Sequence, residues 1–177
     1  RSSLSAASDV YKRQPMRGLM VIGISCLVMA VLLAAAELRA RHTRDVSQMR
    51  LRDALIVGVA QIGALIPGVS RSGSTLTAAL FLNFKREEAA RFSFLLGLPA
   101  IALAGLKELW VLLHADLPAH AWPHLLFGLV AASVSAFFAI WGLMKFLERF
   151  STWPFVIYRA LLGVFLIVAV STGMLAG

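Results

Sequence analysis

The sequence predicts an all-α, polytopic membrane protein carrying one re-entrant helical hairpin. Three observations predict it. Hydrophobic residues make up 59% of the 177-residue chain and charged residues only 15%, where a soluble domain carries about 25%. Several apolar runs reach the ~20 residues that cross a bilayer. Between them, two shorter apolar arms flank a break rich in glycine, proline and serine. A transmembrane β-barrel would show short alternating segments instead, and the chain has none.

Residues 1–17 open with RSSLSAASDVYKRQ, which is polar and lacks the apolar core of a secretory signal. They read as a non-native or disordered leader, and the membrane domain is expected over 18–177. Gly18–Leu38 is the first span, and it ends in the basic loop RARHTRDVSQMRLR. Leu51–Pro67 and Leu76–Phe84 are each too short to cross at 1.5 Å per residue. Two half-length arms around a helix-breaking sequence make a re-entrant hairpin over about 51–84. Ala89–Leu113 spans, with a kink expected at Pro99. Leu125–Leu147 and Phe155–Leu175 complete the set.

Charge supports this threading. Arg39, Arg41, Arg44, Arg50 and Arg52 precede the hairpin, and Lys85, Arg86 and Arg91 follow it. The 114–124 loop has no Lys or Arg, and the next loop carries Lys145 and Arg149. That alternation obeys the positive-inside rule and sets the 114–124 loop on the non-cytoplasmic face. The net charge of +8 is therefore assigned to lipid headgroups and topology, not to nucleic acid. Cys26 is the only cysteine, so no intrachain disulfide forms.

The hairpin's break reads ALIPGVSRSGSTLTAAL, Ala64 to Leu80. Glycine and proline interrupt the helix and let backbone N–H groups converge on an anion. Ser70, Ser72, Ser74 and Thr75 add hydroxyls, and Arg71 adds a planar cation suited to phosphate. An arginine in the membrane interior costs a few kcal/mol unless something pairs with it. The competing interpretation is close helix packing by small residues, with Arg71 reaching to the interface. Two familiar motifs fail. Gly63 and Gly68 have phosphate-loop spacing, but Val69 and Ser70 stand where Lys and Ser/Thr are required. Gly68-Val69-Ser70-Arg71-Ser72 lacks the final glycine of a nucleophile elbow.

PGVSRSGST resembles the signature of the bacterial undecaprenyl-diphosphate phosphatases of the bacitracin-resistance type. The segment GVAQIGALIPGVSRSGSTLTAALFLNFKREEAARFSFLLGLPAI is similar to that family throughout, as is WPFVIYRALLG in the last span. The resemblance implies hydrolysis of a polyprenyl diphosphate to the monophosphate in the bacterial inner membrane, recycling a cell-wall lipid carrier. It implies two inverted repeats, the first of which supplies an acidic motif and a histidine and is not expected in this chain. It assigns catalytic roles to Ser70, Arg71 and Thr75. Gly68, Ser72, Gly73 and Ser74 then shape and line the substrate site. Gln61 stands where repeat symmetry would place an acid, and it can orient water or phosphate or simply pack as an amide. A divalent cation (Mg or Ca) and a homodimer are further expectations from the family alone. No metal ligand set is expected here: His114, His120 and His124 straddle Pro118 and Pro123 in a polar loop, against the spacings metals require. The rival functions are a transporter or lipid flippase with an anion-binding re-entrant loop, and an inactive fragment lacking the first repeat.

Overall fold

The computed structural model describes residues 18–114 and 121–175. The expected leader, 1–17, and most of the 114–124 loop lie outside them. The described residues form six α-helices: α1 Leu19–Arg39, α2 Leu51–Ile62, α3 Arg71–Phe81, α4 Arg86–Leu113, α5 Ala121–Arg149 and α6 Trp153–Ser171. Helices α1, α4, α5 and α6 are long and apolar enough to cross a membrane. The chain is a multi-pass membrane protein.

The spans begin and end where capping chemistry allows. α4 starts at Arg86, earlier than the apolar run, because Glu87 and Glu88 occupy its first turn, where acidic side chains offset the helix dipole. Pro99 lies inside α4, which continues through it. α6 starts with Pro154 in its first turn, where a missing N–H costs nothing.

α1 and α6 form the most extensive helix pair. A Cβ on Gly163 would stand 2.8 Å from the Gly23 carbonyl oxygen, so only glycines let these two backbones touch. The core sits beside this pair, between α1 and the hairpin: Ala30, Leu33 and Ala36 meet Val57, Ala79, Leu80 and Phe84. At one end, Glu37 of α1 is nearly sealed from solvent, with its side chain 3% exposed. Arg86 Nε donates to its Oε1 at 2.8 Å, and Thr152 Oγ1 donates to its Oε2 at 2.9 Å. Three elements far apart in sequence are thereby tied at a single carboxylate.

α2 and α3 are the hairpin. With 12 and 11 residues they extend only about 18 and 16 Å, half the ~30 Å hydrocarbon thickness. Their outer ends meet at one mouth. Thr43 and Arg44 backbone N–H groups donate to the Asn83 carbonyl, and Lys85 N–H donates back to the Arg44 carbonyl. Arg44 also bonds Leu82 O and Gln48 O, pairs with Asp53 and lies over the Phe84 ring. The chain therefore enters and leaves the hairpin on the same side, as the flanking charges predict.

α5 is different in kind. Every residue from 122 to 141 is exposed, although the helix is apolar throughout its span. That surface suits lipid tails or other protein, not water.

Candidate phosphate site at the hairpin tip

The tip is built by a local failure of helix. α2 tightens into a single 3-10 turn, Gly63–Leu65, and Pro67 follows. Val69 N–H bonds Ile66 O. Gly68 then takes φ +89°, and a Cβ there would stand 2.8 Å from the Ile22 carbonyl oxygen and 2.9 Å from Ile22 Cα. Conformation and space both require glycine. The reversal releases Ser70 to cap α3: its hydroxyl accepts from Gly73 N–H at 3.2 Å, which satisfies one of the helix's free donors. The start of α3 thus points its remaining N–H groups and its positive dipole end at the tip.

The hydroxyls divide into two sets. Ser70 and Ser72 Oγ atoms lie 3.2 Å apart and face a cavity of about 200 Å³ between α3, α4, α5 and α6. Ser74 and Thr75 turn inward: each donates to the Arg71 carbonyl at 2.9 Å, and Thr75 is completely buried. A Thr75 hydroxyl in that setting braces the first turn of α3. Gly73 lines the cavity beside Ser70 and Ser72.

Arg71 is half-buried. Its guanidinium lies over Gly97 of α4, and a Cβ on Gly97 would be 3.6 Å from Nη2. Gly97 is one turn along from Ser93, which lines the cavity. Gln61 carries a buried carbonyl oxygen, Oε1, without a hydrogen-bond partner; such an acceptor is costly to leave empty.

A second arginine reaches the same tip. Arg159 of α6 donates from Nη2 to the Gly68 carbonyl at 2.7 Å. Its Nη1 lies 3.1 Å from where a Gly73 Cβ would stand, and it lines the cavity with Ser70 and Ser72. Sequence reasoning passed over Arg159, which sits in VIYRALLG with no neighbouring glycine or hydroxyl cluster. The available signal was an ionisable residue in the middle of an apolar span, itself a pointer to function.

The rest of the cavity wall is apolar, with Leu76, Phe94, Leu143 and Phe155 among its members. Polar groups at one end and hydrocarbon along the sides fit an amphipathic ligand. Among the described residues no three His, Cys, Asp or Glu side chains come together; His120 lies outside those residues. At the hairpin mouth, the hydrogen bond from Arg44, aided by Arg50 N–H, holds the Asp53 carboxyl below its ordinary range.

Comparison with known proteins shows the family. Residues 4–165 match the model of the family described as bacitracin resistance protein BacA. The chain is 71% identical over 162 residues to undecaprenyl-diphosphatase 2 of Mesorhizobium japonicum, covering 92% of this chain and 61% of the relative. It is 49% identical over 165 residues to the undecaprenyl-diphosphatase of Synechococcus elongatus, covering 93% and 57%. To the enzyme of that name from a Synechocystis strain it is 52% identical over 157 residues, covering 89% and 48%. The chain thus spans between about half and three-fifths of these relatives' lengths. With its glycine-shaped, serine-capped hairpin tip and a family match over most of its length, the chain belongs to the bacitracin resistance protein BacA family.

Proposed function

We propose that the chain is part of a phosphatase that hydrolyses a polyprenyl diphosphate, undecaprenyl diphosphate by analogy with the names of its relatives, to the monophosphate and phosphate. The observation that carries this reading is the hairpin tip: a helix start, two facing hydroxyls and two half-buried arginines, Arg159 on the apolar-walled cavity and Arg71 beside Gly97. Water attacks the terminal phosphorus, the P–O anhydride bond breaks, and the lipid monophosphate leaves with the electron pair. Little covalent chemistry falls to the protein in such a reaction, so positioning and charge stabilisation dominate. Ser70 and Ser72 hydroxyls and the α3 N–H groups hold the phosphate oxygens. Arg71, on the same turn, stabilises the charge that develops in the transition state, and Gln61 offers its unpaired oxygen to a water.

Among the described residues no three His, Cys, Asp or Glu side chains come together, so these residues by themselves do not fit a Mg or Ca ion. The reading also carries a location, the bacterial inner membrane, and assembly as a homodimer with α5 as an available apolar face.

The test uses a chimaera in which this chain replaces the matching segment of the Mesorhizobium relative. Phosphate release from undecaprenyl diphosphate is measured per folded molecule. Arg71→Ala should lose roughly two to three powers of ten in turnover. Arg71→Lys should recover little, because an ammonium cannot reproduce the planar fork. If Lys retains nearly full turnover, Arg71 serves packing and the assignment fails.

A further inference from the structure

We propose that Arg159, on α6, is a second phosphate-binding residue, contacting the substrate's diphosphate directly from the α6 side of the cavity. The inference rests on the diphosphate reading and adds a residue that the hairpin motif does not contain.

Three observations lead to it. First, Arg159 and Arg71 occupy different places. Arg159 lines the cavity that Ser70 and Ser72 face, whereas Arg71 lies against Gly97 on α4. A diphosphate has two phosphoryl groups, and two guanidiniums, one on α3's own first turn and one reaching it from α6, can each serve one. Second, Arg159 is not fully used by the protein. Nη2 bonds the Gly68 carbonyl, but Nε is buried with no hydrogen-bond partner. Nη1 makes no hydrogen bond to the described residues either, and on the side chain that lines the cavity it is the donor free to meet an oxyanion. Third, the neighbourhood makes room for it: Gly73 lacks the Cβ that would crowd Nη1 to 3.1 Å. Among the described residues no carboxylate pairs with Arg159, so its charge is available to a ligand. By contrast Arg44, Lys85, Arg86 and Lys145 are all in ion pairs.

The bond to Gly68 orients the guanidinium for this task. Nη2 is held by the turn that also presents Ser70, so the phosphate-facing edge of Arg159 and the cap of α3 keep a fixed relation. A residue that only stapled the turn would need no further donor.

The experiment measures binding of inorganic pyrophosphate to the purified chain in detergent by isothermal titration calorimetry. Wild type, Arg159→Gln, Arg159→Lys and the exposed control Arg149→Gln are compared. Arg159→Gln should weaken binding by about tenfold or more, the scale of one charge-assisted hydrogen bond, while Arg149→Gln stays within about twofold. If Arg159→Gln does not fold, Arg159→Lys decides. It keeps one charge and one donor for Gly68 but loses the planar edge, and should bind several-fold more weakly than wild type. Wild-type affinity in the folded Gln or Lys variant overturns the proposal, as does a wild-type chain that binds no pyrophosphate. A purely structural role would lower the unfolding temperature and leave the affinity of the folded molecules unchanged. Hydrolysis by the chimaera is scored separately: pyrophosphate binding that depends on Arg159, without hydrolysis, sinks the phosphatase reading and leaves this one standing.

Discussion

Gly68→Ala is the sharpest test of how the tip is built, because two independent costs fall on a single methyl group. The backbone there has φ +89°, a region that costs a residue with a Cβ roughly 1–3 kcal/mol. The methyl carbon would also stand 2.8 Å from Ile22 O, 2.9 Å from Ile22 Cα and 3.0 Å from Ser25 Cβ. The first two are backbone atoms of α1, and α1 cannot retreat: it is pressed on α6 at Gly23 and Gly163 and tied at Glu37. The turn must move instead, adding about 1–3 kcal/mol of overpacking and stretching the 2.7 Å bond from Arg159. A total near 3 kcal/mol is a conservative expectation from these ranges. For a chain of this size that is a fall of roughly 6–12 °C in unfolding temperature. The assay is thermal unfolding in detergent, with Gly105→Ala as control. A Cβ at Gly105 meets nothing within 4 Å, and alanine is the better helix former by about 1 kcal/mol, so that variant should hold or gain stability. If Gly68→Ala unfolds within about 2 °C of wild type, using the same conversion, the tip is not braced on α1 as described.

Two further outcomes follow from the ion pairs. Arg86→Ala strands the Glu37 carboxylate in a site where it is 3% exposed, and should cost on the order of 3–5 kcal/mol. Adding Glu37→Gln should recover much of that loss, and equal stability of the single and double variants in thermal unfolding would refute the coupling. At the mouth, Asp53 has a carboxyl held low by Arg44. Its contribution is therefore present above the ordinary carboxylate range and is lost as pH falls through the lowered folded value. Asp53→Asn should make stability less dependent on pH between about 5 and 2, read as unfolding temperature against pH; an unchanged acid limb counts against the pairing.

Much of this was legible in the sequence because membrane architecture is written in run lengths. The four spans follow from apolar stretches of sufficient length, with ends that differ from expectation by a few residues where capping decides: α4 begins at Arg86 because Glu87 and Glu88 favour its first turn. The hairpin was legible from two arms too short to cross and basic flanks on both sides. The hydroxyl count at the tip was visible, but not the direction of each hydroxyl. Helical rotation of 100° per residue turns Ser74 about 200° away from Ser72, so Ser72 lines the cavity while Ser74 bonds the Arg71 carbonyl, and composition is silent on which is which. Arg159 escaped because its partner, Gly68, is 91 residues away, and local pattern carries no information about a contact of that range. The Glu37–Thr152 bond, 115 residues in span, was hidden for the same reason.

Those long separations give the hairpin a place in the order of synthesis. While α1 through α5 are being made, the Gly68 carbonyl has no guanidinium to accept from, and Glu37 lacks its Thr152 hydroxyl. Both partners arrive only with α6 and the residue before it, within eight residues of one another (152 and 159). α6 and its leading turn thus act as a closing pin that seats both the tip and the opposite end of α1. A nascent chain halted before Thr152 would carry every residue of the PGVSRSGST motif, yet hold its turn with neither fastening in place.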